Sequence, residues 1–397
     1  MLRFAFLAAA AVLWSSVFGY VAFLVATAGR RRSLHSHRAS LSSEPGAAAY
    51  AGAALPEIAV VIPVRNEQRF IAGKLANLRN ADYPAERLAI IVVDGGSSDD
   101  TAALVEAARD SGDPVTLVRV SDARGRADQL NAVLSGLSQQ IVVVTDADAE
   151  LDPGCLRALV ETLQKHPATD VVGARVRPAT RLIEERIHWW LLNSLWWLEG
   201  EALGNGQVSG VCYALRSSAV DALPGDCTAD DIRFGLLASA RGRDVRLCRH
   251  ALAIELRVPQ TMRDFMTFRR RRGTGYLLEL RRTRPAAAPL RWHLVQALRL
   301  YHFFVMPVLA VVVAALALAL LATPHWHWPI AAAAGFVVPA FLALFASTTL
   351  GEDRRWQLGM AAGTMAGLTW YSLLLVPRTA AARILGRTPS TPLAKGD

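Results

Sequence analysis

Short apolar runs that stop at polar residues, with helix-period segments between them, restrict this chain to one class of fold. Ile58–Ile62 reads as a buried strand stopped by Pro63, Ala89–Val93 as a second that ends at Asp94, and Val115–Val120 as a third. Ile141–Thr145 is a fourth, and it runs straight into Asp146-Ala147-Asp148. Glu67–Asn80, a segment capped at Ser98-Asp99-Asp100 that reaches Ser111, and Arg126–Leu137 carry helical spacing. Pro153–Lys165 is a further helix with proline in its first turn, and Val171–Val176 a further strand. This alternation predicts an α/β fold built on a mostly parallel sheet covered by helices.

Open α/β sheets bind ligands outside the carboxyl ends of their strands, which is where the acidic residues fall. In an extended chain Asp146 and Asp148 point the same way, so both can address one object. With nothing basic beside them in the chain, they suit a hard cation, Mg²⁺ or Mn²⁺. Mg²⁺ keeps positions for water and phosphate oxygens, so a metal–diphosphate site is expected; a solvated turn is the alternative. After Asp94, Gly95 and Gly96 permit a tight strand-to-helix turn. Asp94 itself would repel phosphate and suits the N–H groups of a base or ribose, although an ordinary capped turn has the same composition. Pro63-Val64-Arg65-Asn66-Glu67 and the stretch Arg124–Asn131 reach the same edge.

The apolar residues, 52% of 397, are concentrated outside this region. Phe4–Ala28 is long enough to span a bilayer and is followed by Arg30-Arg31-Arg32, a basic stop where a signal peptide would carry a small-residue cleavage site. Only Arg3 precedes it, which puts the N-terminus outside and the bulk of the chain in the cytoplasm. Tyr301–Leu321, Pro329–Leu350 and Gln357–Val376 are expected as further spans. Three crossings would leave the basic tail outside, so either one segment does not cross fully or one boundary differs. Trp189, Trp190, Trp196 and Trp197 among leucines predict an interfacial helix over about 181–200. The expected organisation is an anchor at 1–32, a linker at 33–56, a domain at 57–280, an interfacial connector at 281–300, spans at 301–377 and a tail. The four cysteines show no metal spacing, nor do the histidines, and the cysteines suit a reducing compartment. Beside membrane spans, the net charge of +9 points to anionic headgroups or phosphorylated substrates rather than to nucleic acid.

The order of these motifs resembles glycosyltransferase family 2, whose fold is GT-A. Pro63, Asn66 and Glu67 match its first strand end, Val93–Thr101 its second, Gly125, Arg126 and Asn131 its next stretch, and Asp146 and Asp148 its Asp-x-Asp. The resemblance covers about residues 57–280. It implies that Pro63, Asn66, Glu67, Asp94, Arg126 and Asp146 form the nucleotide site, and that Asp146 and Asp148 hold the nucleotide's divalent metal. Thr228-Ala229-Asp230-Asp231 matches the family's acidic pair with Asp230 in place of glutamate, which implies Asp231 as general base and Asp230 as its close second. Gly210, in Ser209–Arg216, matches the glycine-rich run on the acceptor side. Membrane-bound polymerising members carry Gln/Arg-x-x-Arg-Trp before their terminal spans; here Arg269 and Arg272 match, and Gly273 replaces the tryptophan. Those arginines would stabilise the departing diphosphate, or serve as a basic cluster at the membrane face.

The resemblance implies an inverting glycosyltransferase anchored in a bacterial inner membrane, moving sugar from a UDP-sugar to a lipid or lipid-linked saccharide. A processive polysaccharide synthase that exports its product is the alternative within the class, and the absent tryptophan counts against it. A non-catalytic membrane scaffold and a nucleotidyltransferase are the alternatives outside it.

Overall fold

The computed structural model describes residues 1–41, 55–283, 285 and 287–329. Apart from Pro329 itself, the expected spans at Pro329–Leu350 and Gln357–Val376 and the tail lie outside the described residues, as does most of the expected linker.

The described chain forms two compact units, one of Ala22–Met266 and Gly275–Leu294, the other of Met1–Val21, Thr267–Thr274 and the chain from Val295. In the second, helix α1 (Leu2–Trp14) is followed by a π-turn at Ser15–Gly19 and leads into α2 (Tyr20–Leu41). Phe6 and Ala10 pack against Leu320, and the hydroxyls of Ser16 and Tyr301 lie 2.6 Å apart. The helix continues through residues expected to begin the linker, where no glycine or proline occurs between Gly29 and Pro45.

The larger unit holds an eight-stranded sheet. Its strands are β1 (Ile58–Val64), β2 (Leu88–Asp94), β3 (Val115–Arg119), β4 (Ile141–Thr145), β5 (Ala149–Leu151), β6 (Thr169–Pro178), β7 (Cys212–Arg216) and β8 (Asp244–Glu255), in the order 3-2-1-4-7-6-8-5. Strands 1 to 4 pair in parallel; β7 runs antiparallel to β4 and β6, β6 pairs in parallel with β8, and β5 is antiparallel to β8. The sheet is therefore mixed, with β5 and β7 reversed among strands that otherwise share one direction. Pro63 does not stop β1: it pairs in register with Val93. The missing N–H is tolerated because pairing with β4 has already ended at Val61 and Val144.

Period-two alternation divides the core. Ile58, Val60 and Ile62 face one layer with α3 (Ile71–Arg79), α4 (Thr101–Asp110) and α6 (Cys155–Lys165), while Val61, Val142 and Val144 face α5 (Arg126–Leu134) on the other side. Phe234 and Ala238 of α8 (Asp230–Ala240) complete that second layer.

The tryptophan-rich helix α7 (Ile183–Leu203) departs from the interfacial expectation. Trp189 and Trp197 are buried, Trp196 packs partly buried against the first core layer, and only Trp190 is 40% exposed. Indoles are large enough to fill the space between a helix and a twisted sheet, and the helix uses Trp189 and Trp196 that way. Helix α9 (Met262–Arg282) follows, and α10 (Leu290–Leu321) starts well before the expected span. Among the described residues α10 is the helix long and apolar enough to cross a membrane, and Val305, Val308, Val311, Val312 and Leu318 on it are exposed.

Candidate active site

The carboxyl ends of β1, β2 and β4 bring Asn66, Asp94 and Asp146 to one edge. Because β7 is reversed, its beginning reaches that edge too: Cys212 pairs with Thr145, and the amide of Asp146 donates to Val211 O at 3.2 Å. That reversal carries Gly210 to the acids. Parallel pairing of β8 with β6 delivers Arg257 there, and the amide of Leu256 donates to Asp148 O at 2.8 Å.

Arg126, the first residue of α5, joins the parts. Its Nη1 pairs with Asp146 Oδ1, its Nε lies 2.9 Å from Asp230 Oδ1, and its Nη2 donates to Gly210 O at 3.2 Å. Burial opposes its charge, but the carboxylates of Asp146 and Asp230 hold the guanidinium well above its ordinary value. Asp230 Oδ2 accepts from the Tyr213 hydroxyl at 2.6 Å, so both oxygens of Asp230 are engaged. Asp231 Oδ2 accepts the Gly210 N–H at 2.6 Å and carries no ion pair among the described residues. Burial, and then the adjacent Asp230 charge, push Asp231 up to about 7. Neither acid is the N-cap of α8; Ala229 stands there, and the acids occupy the first turn, where the helix dipole favours negative charge. Thr228 is fastened from outside, its N–H and hydroxyl both donating to buried Glu279 Oε1 at 2.9 and 3.0 Å.

The expected nucleotide residues separate into two groups. Asp94 ends β2, and its Oδ1 takes the N–H of Ser97 at 3.0 Å together with the Ser97 hydroxyl; among the described residues Oδ2 has no donor. Asn66 (φ 56°) links the two turns, its Oδ1 accepting the Ser98 N–H at 2.9 Å and its own N–H donating to Ser97 Oγ. Glu67 is buried, not presented to a nucleotide, and both its oxygens meet the guanidinium of Arg257. Arg257 Nε lies 3.4 Å from Asp148 Oδ2. Nothing basic stands beside the Asp-x-Asp pair along the chain, but in space two guanidinium groups do. Arg126 faces Asp146 and Arg257 faces Asp148, both brought from distant parts of the chain. Arg269 and Arg272 lie on α9 in the segment Thr267–Thr274, which belongs to the other compact unit.

Three residues with no assigned role support this edge. Lys74 is buried, donates to Thr145 Oγ1 at 2.9 Å and Ala149 O at 2.7 Å, and so brackets the acid loop; burial pulls its ammonium down to about 8. Its place on the apolar face of α3, with Ile71, Leu75 and Leu78, was the available signal. Gln129 donates through Nε2 to Val64 O at 2.7 Å and Val93 O at 2.9 Å, tying the ends of β1 and β2 together. A Cβ at Gly95 would sit 2.7 Å from that nitrogen, which accounts for the glycine. Gln129→Ala removes both bonds, although the Gly95 N–H still reaches Val64 O at 2.9 Å, and should lower unfolding free energy by about 1–2 kcal/mol, read as a reduced denaturation midpoint of the detergent-purified protein. Arg257 followed no local pattern.

Among the described residues no group of three or more His, Cys, Asp or Glu is disposed to hold a metal by itself. Asp146 and Asp148 nevertheless fit a hard divalent cation. Both are oxygen donors at an acid-rich edge with Asp94, Asp230 and Asp231, and two carboxylates are the usual protein share of an Mg²⁺ site completed by water and phosphate.

Comparison with known proteins agrees with this geometry. The profile described as glycosyl transferase family 2 matches residues 59–217, and that described as glycosyl transferase family group 2 matches 141–347, just over half of the chain. The chain is 26% identical over 238 residues to a probable glycosyltransferase, YdaM, of Bacillus subtilis, covering 56% of each. It is 30% identical over 138 residues to the beta-monoglucosyldiacylglycerol synthase of Synechocystis sp., covering 34% of this chain and 28% of that protein. The matches thus span little more than half of these curated relatives at most. A mannosyltransferase of Pyrobaculum calidifontis, solved with GDP-Man and Mn²⁺, shares the fold with a TM-score of 0.60 at 24% identity, over 93% of this chain and 99% of that one.

Proposed function

The chain belongs to glycosyltransferase family 2, and from that premise we propose that it is a membrane-bound inverting enzyme that uses a nucleotide-sugar, transferring sugar from a UDP-sugar to a lipid or lipid-linked acceptor. The observation that carries the chemistry is Asp231, a carboxylate pushed up to about 7 and aimed by the Gly210 N–H beside the Arg126–Asp146 pair. An oxygen of Asp231 takes the proton of the acceptor hydroxyl while the hydroxyl oxygen attacks the anomeric carbon from the face opposite the departing nucleoside diphosphate. The carbon passes through an oxocarbenium-like state, and one displacement inverts it. Asp230, spent on Tyr213 and Arg126, holds the base helix in place and does not act as the base. Asp94 Oδ2 is offered to the base or ribose. A divalent cation on Asp146 and Asp148 would neutralise charge growing on the leaving diphosphate.

The membrane part of the reading rests on exposed apolar residues of α10, on the apolar run Phe4–Ala28, and on the relative named for making a glucosylated diacylglycerol. The domain at 57–280 would face the cytoplasm of a bacterium between the N-terminal anchor and the C-terminal spans. The test is release of nucleoside diphosphate by the detergent-purified protein across a panel of nucleotide-sugars, UDP-sugars first, with Mg²⁺ or Mn²⁺ and membrane lipids. A single-sugar lipid product is expected; a polymer would point to a synthase, and no turnover with any donor would sink the reading. Turnover should also fall about tenfold per pH unit below about 7, because Asp231 works only when deprotonated, and a flat acid limb would remove it as base.

A further inference from the structure

Arg257 belongs to none of the motifs, yet it stands between two acids of the site. Its Nη1 and Nη2 grip both oxygens of Glu67, with Nη1 3.2 Å from Oε1, and its guanidinium carbon lies 4.9 Å from the centroid of the Phe70 ring. Glu67 is 3% exposed and its own N–H donates to Thr101 Oγ1 at 2.8 Å, so it is a fixed, buried counter-ion. The fork on Glu67 and the face on Phe70 set the plane of the guanidinium. An arginine has five N–H donors, and Glu67 takes two of them. The third contact, Nε to Asp148, is the loose one: at 3.4 Å it is longer than an ordinary charge-assisted hydrogen bond. If Asp148 takes up a divalent cation, that contact becomes a repulsion between Arg257 and the new charge. A diphosphate arriving with the cation relieves it, because its oxygens accept the donors that Asp148 gives up.

We propose that Arg257 is a diphosphate-binding residue of the donor site, resting on Asp148 in the free enzyme and exchanging that carboxylate for nucleotide phosphate when metal and nucleotide bind together. This rests on the reading of Asp148 as part of the donor site. Glu67 is then a positioning residue that keeps Arg257 in place throughout the exchange. The exchange also couples the ligands. Metal alone must compete with Arg257 for Asp148, whereas metal with diphosphate does not.

Full-length protein in detergent, as wild type and as Arg257→Gln, is titrated with Mn²⁺ alone, followed by the electron paramagnetic resonance of free Mn²⁺. It is then titrated with UDP and with UMP in Mn²⁺, or with GDP and GMP if the guanine pair binds better. The variant is expected to lose about tenfold or more in diphosphate affinity with monophosphate affinity nearly unchanged, and to bind Mn²⁺ alone more tightly. The double variant Glu67→Gln/Arg257→Gln, which leaves no buried carboxylate without its partner, should behave the same way if the single variant folds poorly. Equal losses for diphosphate and monophosphate, or an unchanged preference, overturn the proposal. Wild-type protein that binds neither nucleotide overturns the donor-site reading, and the exchange with it.

Discussion

Asp231→Asn should abolish transfer, lowering turnover by roughly 100- to 10,000-fold, the usual range for loss of a general base. The substitution is nearly isosteric. The amide oxygen can still accept the Gly210 N–H, so the loop that carries Gly210 keeps its place. Removing the charge from a site where burial and Asp230 already oppose it imposes no new desolvation cost, so the protein should fold as well as before. Donor affinity should also persist, since Asp94, Asp146 and Asp148 are untouched. The measurement is turnover beside nucleotide affinity on the same preparation: loss of both together would place Asp231 in donor binding, and retained turnover would remove it from the chemistry. Asp230→Asn is the informative companion. It leaves Arg126 with one carboxylate partner where there were two, so it should disturb binding as well as rate.

Asp148→Ala should weaken metal-supported nucleotide binding by about 100-fold or more, since even outer partners of a metal ligand are worth 10- to 100-fold. The fold should survive, because Arg257 keeps its bonds to Glu67 and the 2.8 Å bond from Leu256 N to Asp148 O is made by the backbone. A metal titration of nucleotide binding reads the effect. The midpoint should move to much higher metal concentration, whereas an unmoved midpoint would take Asp148 out of the metal site. Asp146→Ala is a less clean experiment, because it also frees Arg126, which then has Asp230 and Gly210 O as its remaining partners.

Strands β1, β2 and β4 were legible because each is a run of apolar residues, buried or nearly so on both faces, which leaves no other stable role. The acids at their ends were legible for the same reason: the hydrophobic pattern fixes where a strand stops, and a parallel sheet puts those stops on one edge. Helix ends were less legible. The helix expected from Glu67 begins at Ile71, because Glu67 is claimed by Arg257 and Thr101 before the helix starts. Lys74 could have been found, since it occupies an apolar-face position of α3 where a charge needs buried partners. The tryptophans of α7 were misassigned because an indole satisfies a core and an interface equally well by composition, and only packing separates the two.

Chain-local physics alone therefore determined the α/β alternation, the acid edge and the order of motifs that marks a glycosyltransferase, because periodicity and strand termination are properties of neighbouring residues. The tertiary structure decided which charges meet. Direction is not encoded in a five-residue strand, so only the sheet shows that β7 runs backwards and carries Gly210 to Asp231. Coulombic partnership depends on distance in space and not along the chain. Arg126 reaches Asp146 across 20 residues, and Arg257 reaches Glu67 across 190; no local pattern could have announced either pair.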